Sequence, residues 1–420
     1  MGTTNGLKAL GVGIILFALG FGSGFPLLFR LGYALLALAA LGIAWTGANL
    51  IGIELVRQTR DTRAEVGQTV EERFVLRNRL LIPKLWLECR DYATLPNHHA
   101  SRAFDLGPRQ RRTWTVRTIC HNRGRFAFGP ITITTGDPFG LFRMRRRWRE
   151  RRELIVYPAT VEFHRLSVPM GPLSGGGMVR GRSHDVTPNS LSVREYQPGD
   201  SLHRIHWPST ARLGSLMVKE FEPDPFSDIW IALDADAKVQ HGRGTESTEE
   251  YGVKIAASMA KHFLARHRAV GLIVDGGYRL ILPADRGHGH LVKILESLAV
   301  LRAAGRRPID ELLLAEAGRF GRNSTLFVIT PSEATAWPRV LQGASRAVRA
   351  VAVLIDGGSF DVVDERGVGD QFGVVAARDG GTVPESGRRG SAPADLNVPA
   401  FAVGRGDDIA LALSGAVGRW

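Results

Sequence analysis

Apolar and polar residues follow three different rhythms along this chain. The first is unbroken. Residues 9–29 and, after Arg30, residues 31–53 carry no charged side chain, and each run reaches the roughly 20 residues that a membrane-spanning helix needs. Gly22-Ser23-Gly24-Phe25-Pro26 supplies the turn between them, and Trp45 suits an interfacial position near the end of the second. The pattern predicts a two-helix transmembrane hairpin over residues 1–53. A cleavable signal peptide is the plain alternative for the first run. It is disfavoured by the weak positive charge ahead of that run and by the second run directly behind it.

The second rhythm has period two. Runs at 69–76, 85–89, 113–119 and 131–135 have strand composition and are separated by turn formers at Asn78, Pro83, Pro96, Gly107 and Gly124. This predicts an all-β, sandwich-like domain over 54–157. The third rhythm alternates strand and helix. Residues 229–233, 269–274, 278–282, 325–329, 350–355 and 401–403 read as strands, and 248–267, 291–302, 309–320 and 408–413 as helices or closing elements. Ser247-Thr248-Glu249-Glu250 has the S-x-x-E pattern of a helix start. That order predicts a mostly parallel, doubly wound α/β domain over 228–420. Residues 364–397, rich in Gly, Arg, Ser and Pro, read as a long loop.

Between the two domains, residues 158–227 form a linker region around one dense stretch, 193–221. Gln197-Pro198-Gly199-Asp200 has proline and glycine where a type II turn needs them, and Leu216, Val218 and Phe221 alternate with polar positions after it. Arg194, Tyr196, Pro198, Gly199, Asp200, Arg204, Trp207, Arg212 and Glu220 are its chemically committed residues. In these, and in Ile205, Ala211, Leu216, Val218 and Phe221, the stretch resembles the signature of the bacterial "domain of unknown function 58" family. The blocks Asn122-Arg123-Gly124 to Pro130 and Asp137-Pro138-Phe139-Gly140-Leu141-Phe142 are similar to two shorter blocks of that family. The resemblance implies a membrane-anchored chain with a β-rich segment and a von Willebrand factor A-like domain. It implies as partners a MoxR-type AAA ATPase and a transglutaminase-like membrane protein. No cofactor is implied.

In the von Willebrand factor A fold, a D-x-S-x-S strand end and later threonine and aspartate ligands hold Mg²⁺ through hard oxygens. Here Asp234 keeps the first place, while Asp236 and Lys238 replace the two serines, and Thr330-Pro331 stands where a later aspartate is expected. The metal site at Asp234 and Asp236 is therefore degenerate and no bound metal is expected. Asp275 and Asp356 also fall at strand ends, but each opens an Asp-Gly-Gly turn sequence. The pairs His203/His206 and His288/His290 lack a third ligand. Gly175 to Gly181 lacks the Lys-Ser/Thr ending of a phosphate loop and reads as a linker.

Charge adds one further feature. Lys and Arg number 54 against 41 Asp and Glu, a formal net charge of +13, and residues 143–152 hold seven arginines around Trp148. Such a run either neutralises phosphates or forms a solvated face; with a membrane nearby, phospholipid is favoured over nucleic acid. Arg57, Arg60 and Arg63 follow the second span and Lys8 precedes the first, so the positive-inside bias predicts a multi-pass plasma-membrane protein with its bulk in the cytoplasm. Cys89 and Cys120 are then expected to be reduced.

With no nucleophile elbow, Walker sequence or HExxH motif, the sequence points to a non-enzymatic membrane-tethered adaptor. The expected role of the 193–221 stretch is a clamp of Arg-carboxylate pairs under Trp207. The alternatives are a metal-dependent hydrolase using Asp234 and Asp236, and a basic module that binds phospholipid or nucleic acid.

Overall fold

The computed structural model describes residues 2–163, 166, 186–196, 205–223, 228–321, 324–334, 336–345, 348–361, 398–414 and 418–419. It comprises two compact units, Met1–Ala159 with Glu296–Val300, and Thr160–Leu295 with Leu301–Trp420. The stretches 175–181 and 364–397 lie outside the described residues.

The first unit opens with α1 (Gly2–Ser23) and α2 (Pro26–Leu50), both long and apolar enough to cross a membrane. Gly24, at φ +69°, breaks the helix, and Pro26 starts the next at a position where its missing N–H costs nothing. The turn comes early enough to place Phe29 and Arg30 inside α2 rather than at its start. The two helices meet through small residues. A Cβ on Gly32 would come within 3.1 Å of the Phe17 backbone nitrogen, and the Phe17 ring meets Phe29 and Tyr33 edge-on.

Ten strands follow: β1 (Ile53–Thr59), β2 (Arg63–Glu65), β3 (Thr69–Asn78), β4 (Lys84–Asp91), β5 (Arg102–Leu106), β6 (Arg111–Ile119), β7 (Gly124–Phe128), β8 (Ile131–Gly136), β9 (Arg143–Trp148) and β10 (Arg152–Tyr157). They form sheets ordered β1-β3-β6, β2-β10-β7 and β5-β4-β8-β9. The period-two pattern explains them. In β6, Trp114, Val116 and Thr118 are buried while Thr115, Arg117 and Ile119 are exposed. Phe74, Leu76, Trp114 and Val116 from the first sheet share one core with Leu87, Cys89, Leu106 and Ile133 from the third.

α2 is built into this unit. Asn49 donates from Nδ2 to Leu85 O and Thr135 Oγ1, at 3.2 Å each. The buried Lys84 donates from Nζ to Ala48 O. The Phe142 ring fills the space that side chains at Gly6 and Gly42 would need; a Cβ on Gly42 would stand 3.1 Å from its Cδ2.

In the second unit, β11 (Val186–Glu195) pairs antiparallel with β12 (Met217–Pro223), with the short α3 (Trp207–Leu213) between them. There follow β13 (Ile229–Leu233), the small hairpin β14 (Gly242–Arg243) and β15 (Glu246–Ser247), α4 (Thr248–Ala265), β16 (Val270–Asp275), β17 (Arg279–Asp285), α5 (His288–Val300), α6 (Ile309–Glu316), β18 (Thr325–Thr330), α7 (Ala336–Ser345), β19 (Arg349–Ile355), β20 (Pro399–Val403), α8 (Ile409–Ser414) and β21 (Gly418–Arg419). One sheet runs β17-β16-β13-β18-β19-β20-β21, parallel from β16 to β20 and antiparallel at both edges. Every residue of β13 and β18 is buried, as strands covered on both faces must be. Ser247 Oγ accepts from Glu250 N at 3.3 Å and so caps α4. α5 begins at His288, ahead of the expected Leu291, because the buried His290 turns its ring inward and donates from Nε2 to Val270 O at 2.7 Å. That bond makes His290 a structural residue.

Candidate functional site

The chain leaves β13 in one direction to form β16 and in the other to form β18, so the sheet order reverses between β13 and β18. In open α/β sheets, ligands bind outside the carboxyl ends of the strands at such a point. Asp234 stands there, directly after β13, and Thr330 closes β18.

Asp234 is only 5% exposed, and both carboxylate oxygens are occupied from within the chain. Thr330 Oγ1 donates to Oδ2 at 2.6 Å and the Asp236 N–H to Oδ1 at 3.1 Å. Thr330 Oγ1 in turn accepts from Ser332 N at 2.9 Å. Asp236 turns away to accept from Lys238 N at 3.1 Å, capping the following short turn. Gln240 donates to both Asp234 O and Asp236 O, and its own carbonyl accepts from Thr248 Oγ1 at 2.8 Å. Burial pushes the Asp234 carboxyl up to about 6, against the two hydrogen bonds that favour its ionised form; the negative charges of Asp236 and Asp310 add to the rise. Asp275 ends β16 with Arg307 Nε 3.9 Å from its Oδ2, and Asp356 follows β19, its N–H donating to Val403 O. Among the described residues, no three ligating side chains converge at this strand edge.

The motif residues divide. Arg194 and Glu220 lie in the β11-β12 ladder, where Arg194 pairs with Val218 and Glu220 with Ser192. The Tyr196 N–H donates to Leu216 O at 2.8 Å. Pro198, Gly199, Asp200, His203 and Arg204 fall outside the described residues. His206 contacts Ser209 Oγ through Nδ1 at 2.7 Å, and the Met217 N–H donates to Thr210 Oγ1 at 3.0 Å; these bonds fold α3 back onto β12. Of the residues of the expected clamp, Trp207 is 66% exposed and Arg212 is also exposed, and the neighbouring Leu213 is 65% exposed; the carboxylate Asp200 lies outside the described residues. α3 is too short, and too polar on its inner side, to bury a face of its own.

A second cluster, which the sequence pattern did not bring together, lies in the first unit. Arg57 of β1 is 5% exposed and forks onto Glu72 of β3, Nε to Oε1 at 2.9 Å and Nη2 to Oε2 at 2.6 Å. Its Nη2 also reaches Asp91 Oδ2 of β4 at 2.9 Å. His98 Nε2 stands 3.2 Å from Glu72 Oε2 and 3.3 Å from Asp91 Oδ2, aimed squarely at neither, while Nδ1 meets Thr118 Oγ1 at 2.9 Å. Phe74 and Phe128 lie about the guanidinium at 5.1 and 5.0 Å. Burial works against both charged forms, yet the mutual bonds outweigh it: Glu72 is held below the usual carboxylate range and His98 above the usual imidazole range.

Glu72, Asp91 and His98 have the donor set of a metal centre, but the Arg57 guanidinium already stands where a cation would. The cluster is an ion-pair network. Of the three arginines that follow α2, Arg57 is thus buried and paired, while Arg60 and Arg63 are exposed. Cys89 and Cys120 are free and buried, and burial pushes the Cys89 thiol up to about 12.

An α/β unit with the buried carboxylates Asp234 and Asp236 at its switch point, preceded by an antiparallel pair and a short exposed helix, defines a class of protein by architecture. The family described as "Protein of unknown function DUF58" matches residues 192–357, a span that runs from the end of β11 through α3 and β12 and along the sheet as far as β19. The chain is similar to the "Uncharacterized protein YeaD" of Bacillus subtilis, 26% identical over 278 residues, which is 63% of this chain and 66% of that protein. It is also 31% identical over 114 residues to the "Uncharacterized protein Rv1480" of Mycobacterium tuberculosis, 26% of this chain and 35% of that one. The chain thus spans just under two thirds of the first relative's length and about one third of the second's. A CARDB domain from Pyrococcus furiosus overlays 25% of the chain at 15% identity with a TM-score of 0.19, too low to carry an argument.

Proposed function

We propose that this is a membrane-anchored interaction protein of the domain of unknown function 58 type, whose α/β unit is von Willebrand factor A-like and whose α3 face docks a partner. Strand order supports the fold. Numbered from β13, the sheet reads 3-2-1-4-5-6-7, the doubly wound order extended by one strand, with edge strands 3 and 7 reversed. The single observation that carries the docking role is α3: it presents Trp207 and Leu213 to solvent within the motif. A largely exposed aromatic beside an exposed arginine is the composition of an interface anchor. An adaptor role fits the switch point as well, because one oxygen of Asp234 is committed to the Thr330 bond that ties β13 to β18 and the other to the Asp236 N–H of its own loop. The two apolar helices support the membrane anchor, with the bulk of the chain on the cytoplasmic side. A MoxR-type AAA ATPase and a transglutaminase-like membrane protein are the partners, and assembly of cell-envelope complexes is the role.

Capture of the tagged full chain from detergent-solubilised membranes, followed by mass spectrometry, tests this reading. The expected result is an AAA ATPase enriched with the wild-type chain and lost with Trp207→Ala, while the melting temperature changes by less than about 1 °C, as for a surface substitution. A large drop in melting temperature with binding retained would return the motif to a structural role.

A further inference from the structure

The Asp137–Phe142 turn and the strand that follows it bring the arginine run to a defined place. Phe142 sits between Gly6 of α1 and Gly42 of α2. Gly42 lies eight residues before the end of α2, which is about 12 Å along the axis at 1.5 Å per residue. Phe139, at the tip of the turn, is 57% exposed. The turn is thus tied to the half of α2 from which the chain enters the β strands.

β9 leads away from that turn as the outer strand of its sheet. Its register sets Arg147 opposite Thr132 and Arg145 opposite Thr134, on the face away from the buried Ile133. Arg146 falls on the other face, where its guanidinium lies 5.0 Å over the Trp148 ring. Arg145 and Arg147, with Arg151 from the segment before β10, line a cleft of about 520 Å³ together with Thr132 and Tyr92. No described carboxylate lies within ion-pair distance of these three arginines. Glu88, on the neighbouring strand, pairs with Arg90 at 2.9 Å, and Glu150 pairs with Arg152 at 2.9 Å.

We propose that this cleft binds the phosphodiester headgroup of an anionic phospholipid in the membrane that the helices span. Three guanidinium forks with no carboxylate partner among the described residues, backed by hydroxyls, match a phosphate's geometry and charge. The Phe142 contact ties the strand that carries Arg145 and Arg147 to the two apolar helices, and cytoplasmic leaflets concentrate anionic lipid. The ligand assignment rests on the membrane-anchor reading above.

The test uses the full chain in a neutral detergent, with calorimetric titration of dihexanoyl-phosphatidylglycerol, dihexanoyl-phosphatidylcholine, inorganic phosphate and a 12-nucleotide single-stranded DNA. Phosphatidylglycerol should bind saturably and phosphatidylcholine should not. Arg147→Ala should weaken phosphatidylglycerol by about tenfold, the loss of one charge-assisted contact, and Arg147→Lys by less. Arg146→Ala, which removes the same charge from the opposite face, should change it by less than about twofold. Equal losses in Arg146→Ala and Arg147→Ala would overturn the cleft in favour of diffuse attraction. Inorganic phosphate binding as tightly as the lipid would overturn the headgroup, and DNA binding more tightly than either would make the surface a nucleic-acid site. Carbonate extraction separates the premises. Release from the membrane at alkaline pH would overturn the anchor and with it the lipid assignment, whereas retention with an inert Arg147→Ala would overturn the cleft alone.

Discussion

Replacing Asp234 by asparagine should make the protein more stable at neutral and alkaline pH, although Asp234 is the most conspicuous polar residue of the switch point. Its carboxyl is raised from the usual 3.8 to about 6, chiefly by burial. A raised acid binds its proton more tightly in the folded state. It therefore costs nothing below pH 3.8, costs progressively more between there and about 6, and carries its full penalty above that. At about 1.4 kcal/mol per pH unit, the full penalty is about 3 kcal/mol. Asparagine removes the charge but keeps only one acceptor. It can accept the Asp236 N–H through Oδ1, while Nδ2 faces Thr330 Oγ1, whose hydroxyl then loses its acceptor at a cost of about 1 kcal/mol.

The net gain expected at pH 8 is about 2 kcal/mol, or about 4–8 °C for a unit of this size. At pH 4 the variant should melt no higher than wild type, because both side chains are then largely neutral there. Differential scanning calorimetry of the full chain in detergent at both values measures this. A variant that melts lower than wild type at pH 8 would refute the reasoning. So would Mg²⁺ raising the melting point of wild type but not of Asp234→Asn, which would make the carboxylate a metal ligand.

Arg57→Met should cost about 3–5 kcal/mol, because it leaves Glu72 and Asp91 buried without their counter-charge; chemical denaturation reads this. His98 is raised, so its contribution is present below about pH 6.5 and is lost as pH rises through its folded value, and His98→Gln should lower the melting point more at pH 6 than at pH 9. Gly42→Leu should cost about 1–3 kcal/mol by overpacking against Phe142, and Gly47→Leu, where a Cβ would meet nothing within 4 Å, should be silent by the same assay. A C-terminal alkaline phosphatase fusion should be inactive, and an active one would reverse the proposed topology.

The elements were readable where periodicity acts locally. β13 came out residue for residue, and the alternation in β3 and β6 reported a half-buried sheet directly. The ion-pair network was not readable, because Arg57, Glu72, Asp91 and His98 come from three strands and a loop with no shared spacing. A signal was nonetheless present. Glu72 has the inward parity of Val70, Phe74 and Leu76, and Arg57 that of Ile53. Two opposite charges at inward positions of neighbouring strand-like runs are each other's natural partners by parity alone. The replacement of the usual strand-end ligand types by Asp236, Lys238 and Thr330-Pro331 was legible. The bond between Thr330 and Asp234 was not, since it depends on β13 and β18 lying side by side. The exposure of Trp207 was not legible either, because composition does not tell whether an aromatic on a seven-residue helix is covered.

The Lys84 ammonium has a consequence for how the protein can be divided. It is wholly buried, burial lowers its proton affinity, and it donates to the Ala48 carbonyl, a backbone group of α2. Asn49, Gly42 and Phe142 tie the same helix to β8 and the turn after it. A fragment beginning at Glu54 would lose these partners together, with a lysine stripped of its acceptor and an aromatic ring bared to water. What looks in the sequence like a tether ahead of a soluble domain is one wall of that domain. The apolar hairpin is therefore a subunit of the fold in all but covalent separation, and biochemistry on the β unit requires both helices to be retained.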